Sequence, residues 1–382
     1  MADTVSKHID MTTGSLWRNI PLFAFPVAAT SILEQLSNLI ATVIIGNFSG
    51  GQGTLAMAAV GSNVPLTSLM LNLFIGMSLG SNVVIANAIG RNDQNMVKRA
   101  VHTSILMALV GFVVIALGEI FAEPMLAALN VPAETMPLAS LYLRVFLLSM
   151  PSILLYNFEA AIFRSVGITR MPLQALAVST VLNIGLDLIF VPVLHWGVAG
   201  AAIATVAAQL ISTLGCFLYA FLKYPELRLH REDWRITRRD VTRHLIQGIP
   251  LGLQFSVLAI GIIVMQSVIV QFDTLGGEMV SNAAQNGFGA ANKLNNLLMT
   301  PLNGLGTAMT SFTAQNLGAG DHARIKKGTV QALIIVWTMC LISIAAGLLL
   351  SRGGGYLYIF LSPDKVTAET MRYGNTCLYV DL

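Results

Sequence analysis

Residues 89–99 read IGRNDQNMVKR and residues 317–327 read LGAGDHARIKK. Aligned without a gap, Gly90 falls on Gly318, Asp93 on Asp321 and Lys98 on Lys326, with Ala86 on Ala314 just upstream. Arg99 and Lys327 match in charge, and the offset is 228 residues throughout. A chain that is 55% hydrophobic and repeats itself this way has the build of a secondary transporter, in which duplicated halves surround a midplane site.

Working outward, only 11% of the 382 residues are Asp, Glu, Lys or Arg, and mean hydropathy is +0.71. A soluble domain averages about 25% charged residues. Lipid is therefore the expected outer solvent. Apolar runs near the ~20 residues that cross a bilayer fall at 20–45, 55–82, 100–122, 135–158, 170–194, 198–222, 247–271, 283–309 and 330–350, and a tenth starts near 368. The expectation is an all-α membrane protein. The N-terminal tail carries Asp3 and Asp10 and runs into a full-length span, which reads as a retained first helix rather than a cleaved signal.

Charge sorts the connections. Lys and Arg gather after spans two (Arg91, Lys98, Arg99), four (Arg164, Arg170), six (Lys223 to Arg243) and eight (Arg324, Lys326, Lys327). The connections after spans one, three, five and seven contain neither residue. By the positive-inside rule the N-terminus is cytoplasmic in a cell membrane. Six spans separate equivalent positions, so the halves enter the membrane in the same direction, as parallel repeats. The expected organisation is an N-terminal lobe over 1–222, a cytoplasmic basic linker over 223–246, and a C-terminal lobe over 247–382. Pro132 and Tyr142 match Pro363 and Tyr373, after which the first half runs on to about 222 while the second stops at Leu382. Two six-helix repeats imply twelve helices, of which about nine and a half are in this chain.

Carboxylates are scarce inside the spans: Glu34 in the first, Asp187 in the fifth, and Glu159 near the inner end of the fourth. A charge at the bilayer centre costs about 3 kcal/mol on insertion scales, so such groups face a cavity or a partner. Asn183 precedes Asp187 by one helical turn and shares its face. That pairing suits a proton or cation site, and equally a protonated Asp hydrogen-bonded to a neighbour.

Asn183 and Asp187, VAGAAIATVAAQ at 198–209, FRSVGITRMP at 163–172 and the paired GxxD turns at 90–93 and 318–321 resemble the multidrug and toxic compound extrusion (MATE) transporters. The resemblance runs from about Pro21 to Leu382. It implies two lobes around a V-shaped cavity that alternates between membrane faces, exporting organic cations against inward H⁺ or Na⁺. In one branch the first lobe couples through an Asp on helix one, an Asn and Asp on helix five, and a Thr on helix six. Asn183, Asp187 and Thr205 match the last three, whereas the first position is Ala41. Glu34 lies seven residues earlier on nearly the same face, roughly 10 Å along the axis; it either supplies the missing acid or lines the inner vestibule. The other branch uses helices seven, eight and ten, but span seven here has Gln254, Gln266 and Gln271 and no acid until Asp273 at its end.

Lys293, the one basic residue of span eight, and Gln254 are cavity candidates. Pro26 and Pro250 sit in spans one and seven, and Pro26 is a candidate gating kink. Methionine and phenylalanine, seventeen each, suit a pliable cavity for apolar cations. The chain has no HExxH, nucleophile elbow or phosphate loop, and its histidines and three cysteines are scattered. An enzyme, a metal site, a cofactor and nucleic-acid binding are not expected. Small organic cations and lipid are the expected partners of a monomer. A flippase for a lipid-linked saccharide, from the same superfamily, is the alternative.

Overall fold

A computed structural model describes residues 9–48, 53–128, 135–223, 231–275, 278–279, 281–361 and 365–381. The first lobe comprises α1 (Leu16–Phe48), α2 (Gly53–Gly90), α3 (Gln94–Ile120), the short α4 (Ala122–Ala128), α5 (Met136–Ser165), α6 (Arg170–Phe190) and α7 (Gly197–Lys223). The second comprises α8 (Arg238–Val270), α9 (Ala283–Ala319), α10 (His322–Ser351), the single turn α11 (Leu357–Phe360) and α12 (Ala368–Asp381). A two-residue antiparallel pair, β1 (Thr274–Leu275) with β2 (Glu278–Met279), joins α8 to α9. The all-α membrane architecture expected from the sequence is present. Among the described residues, eight helices are long and apolar enough to span a bilayer.

Several helices outrun the apolar spans that announce them. α2 has 38 residues and α9 has 37, about 55 Å each against a hydrocarbon layer near 30 Å. Hydropathy ends where charge begins, but backbone hydrogen bonding continues until a cap stops it. The stop is the repeated GxxD turn itself. Asn92 (φ 55°) and Gly320 (φ 76°), 228 residues apart, take the left-handed conformation that ends a helix. Asp93 then accepts from the Met96 amide at the start of α3, and Asp321 from the Arg324 amide at the start of α10. The basic 223–246 segment includes the first turns of a helix. α8 begins at Arg238, with Thr237 and Asp240 capping each other's amides. Trp234 packs edge-on against His102 of α3 at 5.2 Å between ring centroids, seating the linker on the first lobe. Pro132 and Pro363 lie outside the described residues; Tyr142 and Tyr373 lie on α5 and α12.

The two repeats meet through small residues, as helices must where lipid removes the hydrophobic drive to associate. A methyl group at Gly76 would run into the Gly252 backbone, and one at Gly304 into Ala24 and Ala28. A methyl at Gly90 would strike Gln315, and one at Gly318 would strike Asn87. Each pair is the other under the 228-residue offset, which is the pattern of an isologous contact about an internal two-fold axis. In this register Pro250 pairs with Leu22, one turn before Pro26. The contact is deepened by an apolar cluster joining Ile20, Phe23, Ala24 and Val27 of α1 to Leu305, Ala308 and Phe312 of α9.

Candidate functional site

α6 brings Asn183 and Asp187 to its buried face, 6% and 0% exposed. α7 packs beside it and places Thr205 so that the Asn183 amide nitrogen donates to the Thr205 hydroxyl oxygen at 3.3 Å. From α1, the Ser37 hydroxyl donates to the Asn183 carbonyl oxygen at 3.5 Å. The Asn183 amide is thereby engaged at both ends and its orientation is fixed. One turn on, both Asp187 carboxylate oxygens are buried and meet no hydrogen-bond donor among the described residues. The cluster is a set of oxygen ligands with one ionisable member, chemistry that suits a proton or a small hard cation.

Glu34 does not join this cluster. Its charge is close enough to those of Arg164 and Tyr156 on α5 to act on them. Its side chain is exposed on α1. The residue of α1 that reaches Asn183 is Ser37, one turn before Ala41; the Ala41 side chain lies outside the described residues. Ser37 was legible from helical spacing but carries no charge to draw notice. Next to Glu34, the Gln35 amide donates to the Thr300 hydroxyl of α9 at 2.9 Å, a polar tie between the lobes.

In the second lobe the informative element is α9. It is a continuous 37-residue helix over the 283–309 run, and it carries more amide and hydroxyl side chains than the other long helices. Lys293, Asn296 and Asn303 are exposed along one side, followed by the hydroxyls of Thr307 and Thr310, which bond back to Asn303 and Gly306. An amide-rich stripe cannot face hydrocarbon, so it marks the aqueous side of the helix. Lys293 makes no ion pair among the described residues. Gln254 is exposed on α8, two positions past the buried contact at Gly252, and takes no part in either cluster. Asp273 is used structurally: 1% exposed, it accepts from the Ala284 and Gln285 amides at 2.9 Å and caps α9. Pro26 is buried in α1, and its carbonyl accepts from the Thr30 hydroxyl at 2.8 Å. No group of three or more His, Cys, Asp or Glu that could hold a metal occurs among the described residues.

Duplicated membrane helices that meet about a two-fold axis, with a polar stripe on one long helix and an acid buried in one lobe, have the build of a membrane transporter. The comparisons name its kind. The MatE family profile matches residues 26–189 and 252–380, and the chain belongs to that family. It is 29% identical over 324 residues to the probable multidrug resistance protein YpnP of Bacillus subtilis (strain 168), covering 84% of this chain and 69% of that one. It is 26% identical over 330 residues to the FAD transporter of Shewanella oneidensis, covering 82% and 70%. In fold it is similar to an outward-facing multidrug resistance MATE transporter of the MOP superfamily, with a TM-score of 0.86 at 23% identity, over 98% of this chain and 80% of that one.

Proposed function

We propose that this protein exports cationic or amphiphilic drugs and metabolites from the cell, coupled to inward H⁺ or Na⁺ by alternating access. The observation that carries the reading is Asp187, fully buried one turn from an Asn183 held by Thr205 and Ser37. Glu34, exposed on α1 one turn before Ser37, gives a cationic substrate a carboxyl group to approach. Proton or Na⁺ entry at Asp187 would alter the α1–α6 contact, because Ser37 and Asn183 bridge the two helices. The multidrug names of several relatives agree with this reading.

The basic connections between helices argue for a cytoplasmic N-terminus in the plasma or inner membrane. The chain acts as a monomer, needs no cofactor and works no chemistry on its substrate. One proton exchanged for one monovalent cation moves no net charge, so the pH gradient alone drives it, at about 1.4 kcal/mol or tenfold accumulation per unit. A second proton or a Na⁺ would add about 2.3 kcal/mol per 100 mV of membrane potential.

The test is ethidium efflux from drug-sensitised cells and inverted vesicles, with imposed pH or Na⁺ gradients. Asp187→Asn is expected to abolish gradient-driven export while leaving ethidium binding within a few-fold. Export that survives the substitution places coupling elsewhere, at Glu34 or in the second lobe. The second reading, an anionic substrate such as a lipid-linked saccharide, draws on Lys293 in the polar stripe of α9. It would be favoured if Lys293→Met raised ethidium export while the parent moved no cationic dye at all.

A further inference from the structure

Residues 9–14 do something the repeat does not require. Under the 228-residue offset their counterparts are Thr237–Thr242, which cap and begin α8 as ordinary helix. In the first half the same stretch is not helical, and α1 starts only at Leu16. Gly14 takes a left-handed φ of 75°, which turns the chain out of helical register. The segment instead lies across the basic end of the molecule and bonds to both lobes.

On the first-lobe side, the Ile9 amide donates to the Gly167 carbonyl at 3.2 Å, just past the end of α5. Gly167 has φ 85°, and a methyl group there would run into the Ile9 backbone, so the seat is fitted to the strap. On the second-lobe side, the Met11 amide donates to the Gln315 side-chain carbonyl at 3.3 Å. The Met11 carbonyl accepts from Asn316 at 3.1 Å and from the Arg324 guanidinium at 3.2 Å. Arg324 also donates to the carbonyls of Thr13 at 2.7 Å and Gly14 at 3.0 Å. The Met11 side chain is fully buried.

Gln315 completes the bridge. While its carbonyl holds Met11, its amide donates to the Ser165 carbonyl at the end of α5 at 2.8 Å. Its backbone is also the surface on which Gly90 closes. One side chain thus ties strap, first lobe and second lobe at the point where the repeats touch. Arg324 is one of the basic residues whose charge the sequence assigns to topology; its three hydrogen bonds to strap carbonyls give it a second task.

We propose that Gln315 and Arg324 hold residues 9–14 as a latch across the two lobes, and that release of this latch is a required step in opening the basic end to substrate. The proposal rests on the alternating-access reading. A chain that opens at both ends in turn must break every bond that joins the lobes at the closed end. Here some of those bonds join the lobes directly, Gln315 to Ser165 and Asn87 to Ala314, and the rest run through a short non-helical strap held by Gln315, Asn316 and Arg324.

The experiment replaces the three native cysteines by serine and introduces either Met11→Cys or Ser311→Cys. Ser311 is fully buried, and its hydroxyl donates to Asn82 of α2 across the lobes at 3.0 Å, so a thiol there reports lobe separation. Labelling by a water-soluble maleimide is timed in nanodiscs, where both faces are accessible, with Arg324 intact, Arg324→Lys and Arg324→Ala. Removing three charge-assisted bonds should speed labelling at both positions by about tenfold or more in Arg324→Ala, with Arg324→Lys between. Faster labelling at Met11→Cys alone overturns the proposal, since the strap would then leave without freeing the lobes. Unchanged rates at both positions overturn it as well. Ethidium efflux by the same proteins is scored separately. A parent that labels as expected but moves no dye sinks the export reading and leaves the latch standing.

Discussion

Asn183 shows what one side chain contributes here. Its amide has one donor bonded to Thr205 and its acceptor bonded to Ser37, so helices from three positions in the chain meet at a single polar group. Asp10 is the comparable residue in the strap. Partial burial pushes its carboxyl group up. Hydrogen bonds from the Thr12 and Thr13 hydroxyls and the Thr12 amide, with the nearby Arg324 charge, outweigh this and hold it below the ordinary carboxylate value. A carboxylate whose pKa is depressed by folding contributes stability that is complete above its unfolded value of about 4 and is lost as pH falls through the folded value. The difference in melting temperature between the parent and Asp10→Asn should therefore be constant above about pH 5 and shrink toward zero below about pH 3. A difference that grows in acid would show that the Asp10 interactions are not those described.

At the scale of elements, the α2–α8 crossing depends on the absence of side chains. At Gly76 and Gly80 a methyl group would collide with the backbones of Gly252 and Gly248, which cannot rotate aside as a flexible side chain would. Gly76→Ala should cost about 1–3 kcal/mol by forcing the helices apart. Gly261, on the same α8 but with nothing within 4 Å of its missing β-carbon, is the control. Gly261→Ala should be neutral or stabilise by roughly 0.5–1 kcal/mol through helix propensity. Thermal melts of the two variants in one detergent decide it, and equal shifts would remove the packing argument. The same logic explains why the GxxD turns recur: each ends one long helix with a left-handed residue and starts the next with an aspartate cap, so the repeated motif is architecture rather than a coupling site.

At the scale of the molecule, the two halves close on each other with paired contacts, Gly90 on Gln315 and Gly318 on Asn87. Asn87 adds a hydrogen bond to the Ala314 carbonyl at 3.3 Å. Because the contacts are equivalent, Gly90→Ala and Gly318→Ala should wedge the basic end open to similar extents. Labelling at Ser311→Cys should rise in each by about tenfold, as expected for a wedge costing roughly 1.4 kcal/mol. A large effect from one glycine and none from the other would mean that the closure is not two-fold. The strap is where the symmetry breaks, since only the first half spends residues 9–14 on a bridge.

The sequence by itself determined the membrane class, the duplication, the order of the helices and the shared helix face of Asn183 and Asp187. Each follows from something written along the chain: the length and spacing of apolar runs, a fixed offset, and the turn of a helix. Helix ends were legible only to within several residues, because hydropathy stops at the headgroups while the α2 and α9 hydrogen-bond ladders do not. Three things were left to the tertiary structure. Ser37, not Glu34, reaches Asn183; Asp273 caps α9; and Arg324 grips the carbonyls of Met11, Thr13 and Gly14, more than 300 residues away in sequence. Such contacts are set by how helices rotate and cross, and a linear pattern fixes which face is polar without fixing what that face will touch.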